Sequence, residues 1–307
     1  MENIYDSIIV GAGPAGISTA IYNSRGGLKT ALIERGLYGG TLHDTDSVEN
    51  YISYNSISGP ELAKNMENHV RAQEGVDHHY GNVKKISRDG FLFVVDLGSK
   101  QIKGRTLVLA TGVKYKQMGV PGEEEYKGKG VSNCVTCDVN FFRNKEIFMI
   151  GGGDSAVEGA LYASNVVDKV TLVHRRDELR ADKVSQRELF SRDNIDVIWN
   201  ADTKEIVGKN GLFSGIKYTD KVSGKSHEVS GNGAFINVGV VPATEPFKDL
   251  GILNRDGYVV TNFTMESMLE GLYAVGDIRE GNIRQVVSAT SDGAVASEYI
   301  IRFLNRN

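Results

Sequence analysis

One pattern occurs twice in this chain and limits its fold more than any other feature: an apolar strand, a glycine-rich turn, a helix and a second strand. The first copy spans residues 5–34, and its turn, 11–16, has the form G-x-G-x-x-G. The second copy spans residues 146–174, and its turn begins at Gly151, 140 residues after Gly11. A repeat of this kind predicts two related dinucleotide-binding domains rather than a solenoid.

In the first copy, each residue type suits the binding of a pyrophosphate. Gly11 permits a tight turn, Gly13 lets the backbone approach the phosphates, and Gly16 lets the helix pack on the strand. The helix N-terminus offers unpaired N–H groups and a partial positive charge. Glu34 ends the second strand, where a carboxylate accepts from ribose hydroxyls and repels a 2′-phosphate. We therefore expect FAD or NAD here rather than NADP; the alternative is a plain strand–turn–helix with glycines for packing.

The second copy differs at the position that selects the nucleotide. The residue that matches Glu34 is His174, and Arg175, Arg176 and then Arg180 follow it. Guanidinium groups form charge-assisted, often bidentate, hydrogen bonds with a phosphate. This arrangement predicts NADPH over NADH, and the alternative is a solvated charged loop.

The chain has two cysteines, Cys134 and Cys137, in a C-x-x-C motif just before the second copy. Two cysteines cannot form a disulfide framework or a four-thiolate zinc site, and no histidine has metal-ligand spacing with them, so no metal site is predicted. If the chain is helical from Val135 onward, both sulfurs lie on one face within bridging reach, and the helix N-terminus favours a thiolate. Asp138 follows directly and could shuttle a proton. The alternative is a pair of inert buried thiols.

The order of the predicted strands indicates how the domains are connected. The segment after Pro242 contains another strand, 271–277, and a final helix, about 285–303. The simplest interpretation is that this tail returns to the first domain. The predicted fold class is α/β, with two Rossmann-like domains, the second inserted into a split first domain. We expect the split FAD-binding domain at 1–116 and 244–307, and the NADPH-binding domain with the C-x-x-C at 117–243.

Charge and hydropathy exclude several classes of protein. The 35 basic and 39 acidic residues give a formal charge of −4, which argues against a nucleic-acid-binding protein or a polybasic membrane binder. The N-terminus has no basic segment, and glycines and a proline interrupt the apolar run 8–21, so we predict no signal peptide, no membrane span and a cytoplasmic location. His78 and His79 are expected to be a surface pair. No Ser-His-Asp triad is apparent.

Taken together, these motifs resemble the bacterial low-molecular-weight thioredoxin reductase family over nearly the whole chain. Larger disulfide reductases match less well, because this chain lacks their N-terminal C-x₄-C and their C-terminal dimerisation domain. The resemblance implies that NADPH reduces FAD, that the flavin reduces a Cys134–Cys137 disulfide, and that the dithiol reduces thioredoxin. It also implies a homodimer and rotation of the NADPH domain. Two alternatives are a related flavin reductase that passes electrons to ferredoxin, a thioredoxin-like protein or a peroxidase, and a nucleotide- or redox-sensing module.

The candidate site residues come from the motifs and the resemblance together. The catalytic candidates are Cys134, Cys137 and Asp138. The candidates for contact with FAD are Gly11, Gly13, Pro14, Ala15, Gly16, Glu34, Arg35, Gly40, Thr41, Thr45, Asn50, Ala110, Thr111, Gly112, Gly276, Asp277, Arg284, Gln285 and Val286. The candidates for contact with NADPH are Gly151, Gly153, Asp154, Ser155, His174, Arg175, Arg176 and Arg180.

The chain also departs from the family pattern. Thr41 stands where the family usually has glutamine, Ile52-Ser53 where it usually has Pro-Gly, and Val139 where it usually has glycine after the acid beside the dithiol. A β-branched residue cannot easily adopt a positive φ. Either the loop after Cys137 is reshaped, or position 139 never needed a special dihedral angle.

Overall fold

The computed structural model describes residues 4–45 and 48–306. The chain forms two compact units. The described residues up to 44, from 48 to 114 and from 241 onward belong to the first unit, and 115–240, with residue 45, belong to the second. The second unit is therefore an insertion in the first. The predicted α/β class, with a second Rossmann-like domain inserted into a split first one, is confirmed. The first three residues, on which part of the signal-peptide argument rests, lie outside the described residues.

In each unit a helix joins two neighbouring parallel strands, as a dinucleotide-binding fold requires. The strands are β1 (Ile4–Val10), β2 (Thr30–Glu34), β3 (Val76–Tyr80), β4 (Lys85–Asp89), β5 (Leu92–Asp96), β6 (Gln101–Leu109), β7 (Val113–Tyr115), β8 (Val131–Ser132), β9 (Glu146–Gly151), β10 (Lys169–Val173), β11 (Ile195–Ile198), β12 (Ala201–Lys209), β13 (Leu212–Asp220), β14 (Ser226–Ser230), β15 (Gly233–Asn237), β16 (Val240–Pro242) and β17 (Leu272–Ala274). The α-helices are α1 (Pro14–Arg25), α2 (Gly59–Arg71), α3 (Val135–Asp138), α4 (Asp154–Ser164), α5 (Lys183–Phe190) and α6 (Val286–Arg306). Short 3₁₀ helices lie at Gly40–Asp44, Val139–Phe142, Glu245–Leu250 and Gly276–Ile278.

The sheet of the first unit has the order β3-β2-β1-β6-β5-β4, and β17 pairs in parallel with β6. This pairing brings the segment after Pro242 back to the first unit, as expected. Ile8 and Ile9 are both fully buried although they point to opposite faces of β1. Ile8 packs in one apolar cluster with Leu107, and Ile9 packs in a second with Val108. Burial on both faces is typical of parallel strands.

The second unit is built around a parallel sheet with the order β11-β10-β9-β15-β8. The antiparallel strands β12, β13 and β14 form a separate sheet. Helix α4 connects β9 to β10. Its Ala156 lies in one apolar core with Met149 of β9 and Leu172 of β10, and all three are fully buried. Both units therefore place the residues that follow their first strand at the carboxyl edge of a parallel sheet, where such folds bind ligands.

His78 and His79, which are expected to be a surface pair, are half-buried, and each has an aromatic hydrogen-bond partner. They are neighbours on β3, so their side chains point to opposite faces of the sheet. His78 Nδ1 hydrogen-bonds with the hydroxyl of Tyr38 at 2.9 Å, and His79 Nε2 with that of Tyr5 at 3.1 Å. Burial lowers the pKa of both rings. The aromatic partners, which are distant in sequence, provide cover that the sequence did not reveal.

Candidate functional site

The three glycines of the first turn have different structural roles. A Cβ on Gly11, which has φ +106°, would lie 2.4 Å from the carbonyl oxygen of Ala110, and one on Gly16 would lie 1.9 Å from that of Gly11. These two positions therefore exclude any side chain. A Cβ on Gly13 would have no atom within 4 Å. Nothing in the described fold explains a glycine at 13, but an approaching ligand would.

The start of α1 presents main-chain donors to that open space. Gly13 precedes the helix and carries no capping side chain, and Pro14 occupies its first turn. Proline is suited to this position because its missing N–H would be unpaired anyway. The N–H groups of Ala15 and Gly16 have no acceptor within the helix. The helix begins three residues earlier than the sequence indicated, so these donors lie directly beside the turn.

The carboxylate of Glu34 is held in one orientation at the end of β2. Its Oε2 accepts from the backbone N–H of Ala12 at 2.7 Å, and its Oε1 accepts from those of Arg35 and Gly36 at 2.8 and 2.9 Å. Because each carboxylate oxygen can accept more than one hydrogen bond, Oε2 keeps capacity for a further donor. Glu34 is thus tied to the glycine-rich turn through Ala12.

The structure brings together several candidate residues that are far apart in sequence. Asn50 Nδ2 donates to Gln285 Oε1 at 2.9 Å, across 235 positions. Gly40 has φ +56°, and a Cβ there would lie 3.6 Å from the Cα of Gly13. Thr41 is exposed in the 3₁₀ helix that starts at Gly40, and Thr45 follows that helix. Of these residues, Gly40 lies beside the turn, and Asn50 and Gln285 lie beside each other.

Three further candidates lie on two loops that follow strands of the first unit. Thr111 donates through its hydroxyl to the carbonyl of Ala243 at 2.8 Å, and Gly112 has φ +65°. Gly276 has φ +74°, and a Cβ there would lie 2.9 Å from the Cβ of Ala15. The loop that carries Gly276 therefore approaches the start of α1 closely.

Asp277 is the most strongly perturbed acid of this unit. Burial raises its pKa to about 6, the charge of Asp292 adds to the rise, and Arg284 opposes it. Arg284 has φ +58° and donates through Nη2 to the hydroxyl of Tyr258 at 3.2 Å. A carboxylate whose pKa is raised by burial is a functional-site candidate.

A network around Asp292 was missed by the sequence analysis. Asp292 is 5% exposed on α6, and its Oδ2 accepts from the N–H of Gly276 at 3.0 Å, from Arg279 Nε at 2.6 Å and from Asn282 Nδ2 at 2.9 Å. Arg279 Nη2 also donates to Oδ1 at 2.9 Å. A charged residue on the apolar face of a helix was the available signal. The network fixes the loop that carries Asp277.

In the second unit, the turn repeats this arrangement. A Cβ on Gly151 would lie 2.3 Å from the carbonyl oxygen of Asn237, whereas one on Gly153 would meet only Arg180 Nη2, at 4.0 Å. Gly153 precedes α4 and offers no side-chain cap. The N–H of Arg180 donates to the carbonyl of Gly152 at 2.7 Å. Open space, helix donors and a guanidinium group thus meet at one place.

Residues 154 and 155 begin α4 and differ in their surroundings. The carboxylate of Asp154 accepts through Oδ1 from the N–H of Asp182 at 2.9 Å, so it ties the helix start to the loop before α5. Ser155 is exposed. Both lie beside the open space over Gly153.

His174 points into the fold. It is 5% exposed, and its ring lies 2.1 Å from where a Cβ on Gly152 would be. Its Nε2 hydrogen-bonds with the carbonyl oxygen of Glu178 at 3.0 Å, and burial lowers its pKa. A neutral, buried imidazole supports the loop from below. Arg175 and Arg176 are exposed on that loop.

The two cysteines form a disulfide, with a Cα–Cα distance of 5.3 Å. Helix α3 is a single turn that starts after Cys134. Its Val135 side chain packs on α4, where a Cβ on Gly159 would lie 3.0 Å from Val135 Cγ2. Asn133 Nδ2 donates to the carbonyl of Ile236 at 2.8 Å. The disulfide is therefore held at the carboxyl edge of the sheet.

Asp138, the residue after Cys137, is buried. It is 7% exposed, and its Oδ2 accepts from the hydroxyl of Ser132. Val139, which follows it, has φ −60° and is fully buried. Position 139 therefore needs no glycine, which decides between the two alternatives that the sequence left open.

No group of three or more His, Cys, Asp and Glu side chains that could hold a metal ion occurs in residues 4–45 and 48–306. None of the helices in that part of the chain combines the length and the hydrophobicity of a membrane span.

Comparison with known proteins places these features in a family context. The model of the pyridine nucleotide-disulphide oxidoreductase family matches residues 5–293. A thioredoxin reductase of Bacillus subtilis is 45% identical over 303 residues, which cover 99% of this chain and 96% of that protein. A thioredoxin reductase of Listeria monocytogenes is 44% identical over 97% of this chain and 93% of that protein. The crystal structure of thioredoxin reductase from Streptococcus pyogenes superposes with a TM-score of 0.94 at 40% identity, covering 100% of both chains.

Proposed function

We propose, since the chain belongs to the pyridine nucleotide-disulphide oxidoreductase family, that it is an NADPH-dependent flavoprotein that reduces the disulfide of thioredoxin. Membership of this family implies a flavin and a nicotinamide cofactor. The relatives that match over nearly the full length are thioredoxin reductases. The chain's own residues support the finer assignment of each cofactor and of the electron acceptor.

FAD is the flavin that fits the first unit. The open space over Gly13 and the donors at the start of α1 suit a pyrophosphate, which FAD has and FMN lacks. Oε2 of Glu34 keeps capacity for a ribose hydroxyl. Asp277 would accept from the ribityl chain, and Asn50 and Gln285 would lie on the flavin side. A bound flavin takes a hydride from a reduced nicotinamide and passes two electrons to a disulfide.

NADPH is the nicotinamide nucleotide that we assign to the second unit. The space over Gly153, together with α4, would hold its pyrophosphate. The exposed guanidinium groups of Arg175 and Arg176, with Arg180 close to Gly153, would bind a 2′-phosphate. We assign His174 a supporting role, because a buried neutral ring cannot supply charge to that phosphate.

The observation that carries the proposal is the Cys134–Cys137 disulfide, placed beside a buried carboxylate. Two electrons and two protons convert it to a dithiol. One thiolate then attacks a sulfur of the thioredoxin disulfide, a mixed disulfide forms, and the other thiolate releases reduced thioredoxin and re-forms the Cys134–Cys137 bond. Asp138 is placed to give or take a proton during these steps.

The experiment is an anaerobic titration of the purified protein with NADPH and then NADH, while the flavin absorbance is followed. We expect NADPH to bleach the flavin at far lower concentration than NADH, and oxidised thioredoxin to restore the absorbance. A colourless protein that does not take up FAD would refute the flavin assignment.

Cysteine variants separate electron transfer to the flavin from electron transfer to the disulfide. Cys134→Ser and Cys137→Ser should still bind FAD and should still be bleached by NADPH, but neither should reduce thioredoxin. Full turnover in both variants would refute the role of the disulfide. Normal bleaching with no turnover of thioredoxin by the unaltered protein would instead indicate another acceptor, such as a thioredoxin-like protein, a peroxidase or ferredoxin.

We extend the proposal to assembly and location by analogy with the family. The active form is a homodimer, which sedimentation analysis of the flavin-loaded protein tests. Its location is the cytoplasm, because NADPH-driven reduction of disulfides maintains thiols in a reducing compartment.

A further inference from the structure

The strand that leads to the disulfide is fixed before the first cysteine is reached. Strand β8 pairs with β15, and Ser132 stands opposite Phe235 in the register. The next residue, Asn133, is tied to the carbonyl of Ile236. The position of Ser132 is therefore set by the sheet and not by the redox turn itself.

The hydroxyl of Ser132 joins both ends of that turn. Its oxygen accepts from the N–H of Cys134 at 3.0 Å, and its proton is donated to Oδ2 of Asp138. The N–H of Asp138 in turn donates to the carbonyl of Cys134 at 3.2 Å. These three bonds join Ser132, Cys134 and Asp138 in a closed polar ring.

The ring matters because α3 alone does not fix the carboxyl group. One helical turn sets the main chain of Asp138 but leaves the rotation of its side chain open. A hydrogen bond from a hydroxyl to a carboxylate is short and strong, and in a buried position it is stronger still. Ser132 has a single proton, so donation to Asp138 excludes donation to the carbonyl of Cys134, which lies farther away at 3.5 Å.

We propose that Ser132 is a positioning residue for the disulfide chemistry, which holds the carboxyl group of Asp138 beside the Cys134–Cys137 bond. The inference rests on the proposed function. Reduction breaks the sulfur–sulfur bond with two electrons from the reduced flavin, and each sulfur becomes a thiolate or, with a proton, a thiol. Asp138 gives one proton to a sulfur and regains it from water. Ser132 exchanges no proton and acts only through Asp138.

A double-mutant cycle tests this dependence. We expect Ser132→Ala to lower thioredoxin turnover about tenfold, part of the 10²–10⁴ that a positioned acid contributes. Asp138→Asn should lower it at least as much, and the double variant should equal Asp138→Asn within about twofold, because a residue that acts only through Asp138 has nothing left to position. Ser132→Thr keeps the hydroxyl and should restore turnover. If the fold-loss of turnover in the double variant equals the product of the two single losses, the proposal is overturned.

A matched control excludes a general loss of stability. Ser164 lies in the same unit, is 8% exposed and donates to the carbonyl of Leu161 at 2.8 Å. Ser164→Ala removes a comparable hydrogen bond far from the redox turn and should leave turnover unchanged. If it lowers turnover as much as Ser132→Ala, the effect is not specific and the proposal fails.

A second readout needs no thioredoxin. The rate at which dithiothreitol opens the disulfide is measured in the purified holoprotein by alkylation of the new thiols. The unaltered protein and the same five variants are compared. Ser132→Ala should slow the opening, and it should have no further effect when Asp138 is already asparagine. An unaltered protein that fails to reduce thioredoxin refutes the proposed function, whereas independent effects in this assay refute the role of Ser132.

Discussion

The imidazole of His174 occupies the space that a side chain at position 152 would need. A Cβ on Gly152 would lie 2.1 Å from both Cε1 and Nδ1 of that ring. The ring also bonds the carbonyl of Glu178, and it meets Trp199 edge-on at a centroid distance of 6.3 Å. Gly152 and His174 together therefore support the loop that carries Arg175 and Arg176.

This relationship predicts different outcomes for two adjacent glycines. Gly152→Ala should displace His174, lower the free energy of unfolding by about 1–3 kcal/mol and weaken NADPH binding. Gly153→Ala meets only the flexible end of Arg180, so it should fold normally and yet lose NADPH affinity, because its methyl group fills the space proposed for the pyrophosphate. Calorimetric titration with NADPH and urea unfolding measure the two effects. Equal stability losses in both variants would contradict this account.

The sequence predicted the two glycine-rich turns, but it could not separate these roles. Both positions are glycine. They differ because the ring of His174, which follows β10, packs against Gly152 and not against Gly153. The same limit applies to the prediction that His174 contacts NADPH, because its burial depends on residues brought in by tertiary packing. Local patterns such as the C-x-x-C and the offset of 140 residues were sufficient for the fold class.

At two positions where the chain departs from the family pattern, the backbone angle φ decides whether glycine is favoured. Val139 has φ −60°, so its β-branched side chain meets no strain. Ser53 has φ +86°, a conformation that favours the glycine usual in the family at this position. The sequence identified both positions as unusual and could not tell which of them is strained, because φ is fixed by the surrounding loop.

We therefore expect opposite effects from glycine at these two positions. Ser53→Gly should raise the free energy of unfolding by about 1 kcal/mol, since it relieves a left-handed conformation. Val139→Gly should lower it by about 2–4 kcal/mol, because it removes a fully buried side chain and loosens the backbone. Urea unfolding of both variants measures the difference. Stabilisation by Val139→Gly would show that the position does prefer glycine.

The buried Asp292–Arg279 ion pair is expected to contribute more to stability than the exposed Glu298–Arg302 pair, whose acid lies on the same helix. Asp292→Ala leaves the half-buried guanidinium without its partner and frees the loop of Asp277, so we expect a loss of about 3 kcal/mol in unfolding free energy, together with loss of flavin. Glu298 pairs with Arg302 on the exposed face of α6, and Glu298→Ala should cost less than about 0.5 kcal/mol.

Thermal unfolding and the flavin content of the purified variants provide the measurement. If Asp292→Ala retains flavin and is as stable as Glu298→Ala, the network does not hold the loop. If both variants lose flavin, the effect belongs to the helix as a whole and not to the buried pair.

The burial of Asp277 is expected to lower the stability of the flavin-free fold while its carboxylate favours flavin binding. Burial raises its pKa to about 6 from the ordinary 3.8, so the flavin-free fold holds a proton that the unfolded chain has released between these values. The free energy of unfolding should therefore fall as the pH rises from about 4 to about 6 and then stay low. Asp277→Asn removes this penalty and should stabilise the flavin-free protein by about 1–2 kcal/mol at pH 7 and little at pH 4.

The same substitution should weaken flavin binding, because an amide oxygen accepts a weaker hydrogen bond from a ribityl hydroxyl than a carboxylate does. Urea unfolding of the flavin-free protein at both pH values and fluorescence titration with FAD separate the two effects. Asn282→Ala, which removes a neighbouring amide but no buried acid, is the control and should not reproduce the pH-dependent gain. If Asp277→Asn is no more stable than the unaltered protein at pH 7, the carboxylate is not held against its preference, and its place beside the flavin needs another explanation.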